Sequence, residues 1–343
     1  MEYIYSEEVD PKLYETNGLV NQLKLRMHKD SAKEIRGALR AQEDWSKHVH
    51  QINNYHGGLA DPYSFIRVTV PECLPDRLEL ISYATEYAFL YDGKCLSVFS
   101  YLHTSTNFDL DDMEKLDLQD TNDNAHGILE TFSHDALSCE IGPSSRPEKR
   151  IQAQILSEMI AIDRPRAMAT MKAWAKFVQL AAETRKSDFK TLETYLPSRI
   201  IDAGELIWYG TLTFGMGITI PEHEKYLCME LAKPGYAALG LTNDLFSWEK
   251  EHIAAEKMGQ NYVFNAIWVI MQEKVVGEGE AKEICSDEIR RYMAKFTQVV
   301  ESTKNDQGIS KELRKYLEAV LLSCIGNIVW SIYCPRYRVS LDC

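Results

Sequence analysis

No two cysteines in this chain form a C-x-x-C pair. The eight, at 73, 95, 139, 228, 285, 324, 334 and 343, are scattered, and no histidine clusters with them. Zinc sites and disulfide frameworks both recur at short spacings, so neither is expected. Positive charge is also scarce: 38 Lys and Arg face 51 Asp and Glu, a net charge of −13. A polyanion needs a broad cationic face, which argues against nucleic acid as a partner. An acidic protein with an anionic substrate then needs a local correction, either a few Arg and Lys or bound metal ions. The N-terminal MEYIYSEEVD has no apolar core, so no secretory signal is read there. The longest apolar stretch, 319–334, contains Asn327 and is short for a membrane span. No G-x-G-x-x-G and no βαβ rhythm occur. The expected location is cytoplasmic, without stable membrane insertion.

Of the 343 residues, 45% are hydrophobic and 26% charged, which is the ordinary globular range and enough for a sizeable core. Residues 1–30 read as an ordered but irregular arm. Helical periodicity begins at 31–55. It returns at 76–92, where Leu80, Ala84, Ala88 and Tyr91 recur at three-to-four spacing after a Pro75-Asp76 start signal. Beyond 146 the helical segments are 146–163, 164–184, 204–216, 221–259, 260–274, 278–303 and 310–334. The expected fold class is all-α, a single domain over 1–343 with roughly ten helices and no internal repeat.

The densest polar constellation is TNDLFSWEKE, 242–251. On a helix, Asn243, Ser247 and Glu251 stand at i, i+4 and i+8 and form one ridge. All three offer oxygen, the donor that hard cations such as Mg²⁺ prefer. Lys250 places a cation beside Glu251. Taken alone, such a stripe also suits a solvated helix face. Here Tyr236, Leu239, Leu241 and Trp248 make the helix largely apolar, so its polar groups need partners inside a bundle.

NDLFSWEKE resembles the N-D-x-x-S-x-x-x-E metal motif of class I terpene cyclases. VDPKLYET (9–16), PECLPDR (71–77), MKAWAKF (171–177), LTFGM (212–216), PEHE (221–224) and VWSIYCPRY (329–337) resemble the cyclase domain of fungal bifunctional diterpene synthases, and the likeness extends over essentially the whole chain. It implies the class I terpenoid synthase helical bundle and a lyase of diterpene biosynthesis in secondary metabolism. The substrate would be a linear isoprenyl diphosphate, foremost geranylgeranyl diphosphate, cyclised to a fusicoccane-like polycycle. Three Mg²⁺ ions would be bound. Arg336 and Tyr337, an ordinary pair by composition, become diphosphate ligands, as do Arg199 and Lys250. Asp202 becomes a linker and Ala203 an effector at a helix break beside Gly204. Phe65, Phe89, Trp208, Phe214 and Trp330 become candidates for cavity walls whose rings stabilise migrating cations; each also suits ordinary core. A homo-oligomer is compatible with this reading. Because the chain stops six residues after Tyr337, prenyltransferase activity is expected to be missing, leaving a separate prenyltransferase to supply substrate.

One required motif is interrupted. The family places an aspartate-rich D-D-x-x-D at the end of an early helix. Here SYATEYAFLYD ends at Asp92 and continues Gly93-Lys94-Cys95. The piece 93–108 has no acidic residue, whereas 109–124 is strongly acidic. Removing 93–108 joins Asp92 to Asp109-Leu110-Asp111-Asp112 and restores the motif, with Asp92, Asp109 and Asp112 as metal ligands. A retained intron or a lineage-specific insertion explains the break; an ordinary acidic loop is the plainer alternative. Competing functions are a chain-elongating prenyltransferase, a sesqui- or sesterterpene cyclase, and a scaffold inactivated by the interruption. The elongating enzyme needs two aspartate-rich motifs, and the Asn/Ser/Glu ridge argues against it.

Overall fold

Local signals set most helix boundaries. Asp30 accepts the Lys33 N–H at 3.0 Å and starts α1, Ser31–His48. Ser310 accepts the Leu313 N–H at 3.0 Å and starts the last long helix. The computed structural model describes residues 1–20, 22–53, 55–104, 147–184 and 188–338, with backbone alone over 92–104 and at 178, 182 and 183. Among them α1 is followed by α2 (Phe65–Thr69), α3 (Leu78–Thr104), α4 (Pro147–Thr184), α5 (Leu192–Asp202) and α6 (Glu205–Gly215). Then come α7 (Lys225–Lys257), α8 (Ala266–Lys274), α9 (Glu278–Thr303) and α10 (Lys311–Tyr333), closed by a short 3₁₀ turn, Pro335–Tyr337. The all-α expectation holds. α1 packs along α3, α4 along α6, and α7 lies between α9 and α10, while α2 rests on α10.

Several details differ from the periodicity reading. The N-terminal arm contains a short antiparallel pair, β1 (Ser6–Glu8) on β2 (Arg26–His28). Buried Glu72 holds it down by accepting the N–H groups of Ile4, Tyr5 and Ser6 at 2.9, 3.2 and 2.8 Å. Segments 146–163 and 164–184 run as one element with a kink at Asp163, where φ is −155° and ψ 85°. The Asp163 carboxylate accepts from Arg77 at 2.9 Å and from Arg166 at 2.6 Å across that kink. Periodicity does not predict α5, because Pro197 lies inside it. α3 does not stop at Asp92; its backbone stays helical to Thr104. Gly93 costs a helix only about 1 kcal/mol, and the following Cys95, Leu96, Val98, Phe99 and Leu102 keep an apolar helical spacing.

Among the described residues, α10 alone is long and apolar enough to cross a membrane by composition. Since 78% of its most apolar window is buried inside the protein, it is the core helix. Its tightest approach is to α2: a Cβ on Gly326 would sit 2.1 Å from the Val68 carbonyl oxygen and 2.9 Å from the Thr69 nitrogen. Backbone cannot yield as a side-chain tip can. Gly326→Ala should therefore cost about 1–3 kcal/mol, the range for forcing extra volume into a packed core. A chemical-denaturation midpoint equal to that of the wild type would show that α2 and α10 can separate freely.

Candidate active site

The site gathers around one buried guanidinium. Arg199 lies in the last turn of α5 and is 7% exposed. Its Nε donates to Asp244 Oδ1 at 2.8 Å, its Nη1 to Asp202 Oδ2 at 2.6 Å and its Nη2 to Asn243 Oδ1 at 2.7 Å. Burial opposes the charge, but Asp244, Tyr195, Asp202 and Glu251 together carry the Arg199 pKa well above its ordinary value. Asp244, on α7, is wholly buried. Its other carboxylate oxygen accepts from Tyr195 Oη at 2.8 Å and from the Ala266 N–H at 3.0 Å. Burial pushes the Asp244 carboxyl up to about 6, with Arg199 pulling it back down.

α7 is continuous through 243–251, so Asn243, Ser247 and Glu251 do stand on one ridge. Asn243 Nδ2 donates to Tyr337 Oη at 2.7 Å, which ties the C-terminal Arg336-Tyr337 turn to the ridge and to Arg199. The Phe246 ring also stacks on Tyr337, centroids 6.5 Å apart. Asn265 caps α8: its Oδ1 accepts the Ile267 N–H at 2.8 Å, while its Nδ2 reaches Glu251 Oε2 and the Asp244 carbonyl, each at 3.0 Å. Between Asn243 and Glu251, Ser247 Oγ is buried with no hydrogen-bond partner. An unpaired buried hydroxyl is costly, and a hard cation satisfies it while using the oxygens of its two ridge neighbours. The residues present thus fit a divalent metal. Among the described residues no three His, Cys, Asp or Glu side chains gather into a metal site, so the ridge stands on its mixed amide, hydroxyl and carboxylate set. Lys250 is partly buried on the same helix beside Glu251.

The expected helix break is present. α5 ends at Asp202, Ala203 is the C-cap, and Gly204 takes φ +87° before α6 begins. That left-handed conformation suits glycine. α7 packs against this turn at Gly240, where a Cβ would make ordinary contact with Arg199 Cγ at 3.4 Å and Ala203 Cβ at 3.5 Å.

Four of the five aromatic candidates meet. The Phe65 ring contacts those of Phe89, Trp208 and Trp330 at 5.2, 5.6 and 4.7 Å between centroids. Phe89 and Trp330 stack at 5.6 Å, and Trp330 meets Tyr337 edge-on at 5.4 Å. Arg336 lies over the Phe89 ring, its Cζ 4.8 Å from the centroid. Phe214 is elsewhere. Its ring is fully buried against Arg77, 4.9 Å from the guanidinium carbon, and its carbonyl accepts from Arg77 Nη1 at 2.8 Å. It is a core residue, placed there because α6 turns that face toward the start of α3. Asp92 follows Phe89 by three positions, one turn further along α3. Asp109 and Asp112 lie outside the described residues.

Sequence reasoning did not assign Asp244, Tyr195 or Asn265. Tyr195 sits four residues before Arg199, so both share one face of α5. Asp244 adjoins the ridge but points away from it into the bundle, a buried acid that the apolar surroundings of 236–248 already implied must be paired.

Residues 109–295 match the family model "Terpene synthase family 2, C-terminal metal binding". Fusicoccadiene synthase of Phomopsis amygdali is 44% identical over all of this chain and 46% of its own length. A bifunctional type I diterpene synthase of Aspergillus flavipes is 42% identical over 98% of the chain and 42% of its own length. A bifunctional sesterterpene synthase of Aspergillus aculeatus is 37% identical over 98% and 45% respectively. The chain thus spans under half the length of these relatives. Among solved structures, aristolochene synthase from Penicillium roqueforti superposes with a TM-score of 0.66 at 16% identity, covering 91% of this chain and 98% of its own. That likeness shows the fold: the helical bundle is that of a terpene synthase.

Asp244→Asn should leave Arg199 short of its main counter-charge in a dry environment. Removing one partner of a buried pair costs about 3–5 kcal/mol, so the urea midpoint should fall accordingly. A midpoint within error of the wild type would mean that Arg199 can relax onto Asp202 alone.

Proposed function

The chain belongs to terpene synthase family 2, and on that premise we propose that it is a class I cyclase. It would ionise a linear isoprenyl diphosphate, foremost geranylgeranyl diphosphate, and close it to a fusicoccane-like diterpene in the cytoplasm. The observation that carries this reading is the unpartnered Ser247 hydroxyl between Asn243 and Glu251, on a ridge joined through Asn243 to Arg199 and Tyr337. The C20 choice rests on relatives named for fusicoccadiene and diterpene synthesis. The relative named as a sesterterpene synthase keeps a C25 substrate as the second choice.

In this reading Asn243, Ser247 and Glu251 hold metal, and Asp92, Asp109 and Asp112 would join them as the aspartate-rich motif once 93–108 is removed. Three bound Mg²⁺ ions would neutralise diphosphate charge and so favour breaking of the allylic C–O bond. Arg199, Lys250, Arg336 and Tyr337 bind the diphosphate, and guanidinium forks suit its oxygens. Asp202 holds Arg199 in place and transmits its position to the Ala203 turn. Phe65, Phe89, Trp208 and Trp330 offer ring faces to the carbocation and exclude water. A prenyltransferase would supply the substrate.

One observation favours a second reading, a cyclase silenced by its own sequence. Because α3 continues as helix from Asp92 to Thr104, those two positions are separated by about 18 Å at 1.5 Å per residue. With 93–108 in place, Asp109 cannot follow Asp92 within one helical turn.

Two experiments separate the readings. Glu251→Gln should cut Mg²⁺-dependent diphosphate release by on the order of 10²-fold or more, as for a lost ligand to a charge-stabilising metal. Circular dichroism should be unchanged. Undiminished turnover at saturating Mg²⁺ would remove Glu251 from the site. Second, the chain lacking 93–108 should convert geranylgeranyl diphosphate at least about 10²-fold faster than the chain as written, the scale of effect for a misplaced catalytic group. Equal rates at equal folded concentration would make 93–108 a benign insertion.

A further inference from the structure

Glu86 is a buried carboxylate that the mechanism above does not use. It lies on α3 and is 2% exposed. Its Oε1 accepts from Gln42 Nε2 at 2.7 Å and its Oε2 from the Gly58 N–H at 2.8 Å. The Gly58 carbonyl in turn accepts from Trp330 Nε1 at 2.9 Å and from the Phe65 N–H at 2.8 Å. Two residues earlier, the His56 carbonyl accepts from Arg336 Nη1 at 3.4 Å. Segment 56–58 therefore forms a strap. One side is fixed to α1 and α3 through Glu86, and the other holds two cavity rings and a diphosphate arginine.

The strap has no room for side chains. A Cβ on Gly57 would lie 2.1 Å from Glu86 Oε1, and one on Gly58 would meet Phe89 at 3.1 Å and Phe65 at 3.3 Å. Both glycines are needed for the backbone to come this close to the carboxylate and the rings. Burial raises the Glu86 carboxyl above its usual value, opposed by the Gly58, Gln42 and Tyr55 hydrogen bonds and by the charge of Arg336.

We propose that Glu86 is a positioning residue for product selectivity: by holding the backbone at Gly58, whose N–H it accepts and whose carbonyl receives the indole N–H, it fixes the plane of the Trp330 indole relative to Phe65 and Phe89. A ring stabilises a cation through its face, so the tilt of the indole decides which cation along the folded chain gains most. Trp330 Nε1–H spends its hydrogen bond on the Gly58 carbonyl, which leaves only the ring surface for substrate. The proposal rests on the cyclase reading above, and its test is built to fail separately from it.

The test compares wild type, Glu86→Gln, the exchange Gln42→Glu/Glu86→Gln, and Trp330→Phe, which removes the Nε1–H. Each is prepared with and without 93–108 and incubated with C15, C20 and C25 diphosphates and Mg²⁺. Products, diphosphate release and backbone amide exchange over 55–66 are measured. In Glu86→Gln the carboxylate that faces the Gln42 amide, the Gly58 N–H and the Tyr55 hydroxyl becomes a neutral amide with a single acceptor oxygen, which weakens the charge-assisted hold on Gly58. Its Gly58 amide should exchange faster. The ratio of its main products should shift about three- to tenfold, the consequence of roughly a 1 kcal/mol change between competing barriers, in the direction seen for Trp330→Phe. Diphosphate release should stay within about threefold, because the metal ridge is untouched. In the exchange variant the amide now on α3 can donate to the carboxylate now on α1 and still accept from the Gly58 N–H. Both protection and product ratio should then return toward wild type.

A wild-type product ratio despite faster Gly58 exchange overturns the proposal. So does a shift that the exchange variant fails to reverse while restoring protection. If neither Glu86 variant folds, Glu86 is simply structural and the proposal fails. If wild type releases no diphosphate with any substrate in either form, the cyclase reading falls and takes the selectivity claim with it, while Gly58 exchange still reports whether Glu86 holds the strap.

Discussion

Everything at the candidate site depends on keeping one guanidinium charged in a dry place. Arg199 could not stay buried without Asp244, and Asp244 could not stay ionised without Arg199, Tyr195 and the Ala266 N–H. Each charge offsets the other's desolvation penalty. The pair also ties together parts of the chain far apart in sequence: α5 through Tyr195 and Arg199, α7 through Asn243 and Asp244, and the start of α8 through Ala266. Asn265 extends the connection to Glu251, and Asn243 extends it to Tyr337. A pull on Arg199 by an anionic group would thus be felt at the ridge, at the C-terminal turn and at the Ala203-Gly204 break together. Preorganisation of this kind lets charge develop in a transition state without rearranging the protein around it.

The ring cluster obeys a different rule. Its members come from α2, α3, α6 and α10, and nothing but shape and ring electrostatics binds ring to ring. Edge-on and offset contacts such as those of Phe65 with Phe89 and Trp330 are the favoured geometries. What orients the cluster is polar and lies behind it, in the backbone of 56–58. Only Trp330 is held from there through its indole N–H; the Trp208 Nε1–H is buried with no partner among the described residues.

Helical class and the Asn243–Ser247–Glu251 ridge were legible in the sequence, because each needs only a local pattern; the Arg336-Tyr337 pair was singled out by the resemblance alone. An i, i+4, i+8 ridge needs only that the helix be continuous, and α7 is. The Ala203-Gly204 break was implied by the resemblance, with Gly204 as its local sign. What could not be read was tertiary. Asp244 differs from any other helix acid only in what packs against it, and Glu86 matters only because a loop from 56–58 lies across it. Phe214 and Trp330 look alike in composition. They part because α6 turns one toward Arg77 and α10 turns the other toward Phe65. The small β-pair was hidden too, since its hold is the Glu72 carboxylate, 66 to 68 residues away in sequence from the N–H groups it accepts.

Charge balance bears on the interrupted motif. The described ridge contributes a single carboxylate, Glu251, alongside an amide and a hydroxyl. Around it stand the cations of Arg199, Lys250 and Arg336, and Asp202 and Asp244 are already engaged by Arg199. A diphosphate brings only a few negative charges. Several divalent ions in such a place would leave a large positive excess in a low-dielectric setting, where like charges at about 4 Å repel by several kcal/mol. In the proposed reading such a site would need more carboxylates near the ridge. On the described backbone the acid suited to this by position is Asp92, one turn past Phe89, whose ring already lies beneath Arg336. One acid there is a weak counterweight; a run of acids following it directly is a strong one. In the proposed cyclase reading, the acid-free 93–108 stretch separates Asp92 in sequence from the acids that would follow it, and so bears on whether the site could fill with metal.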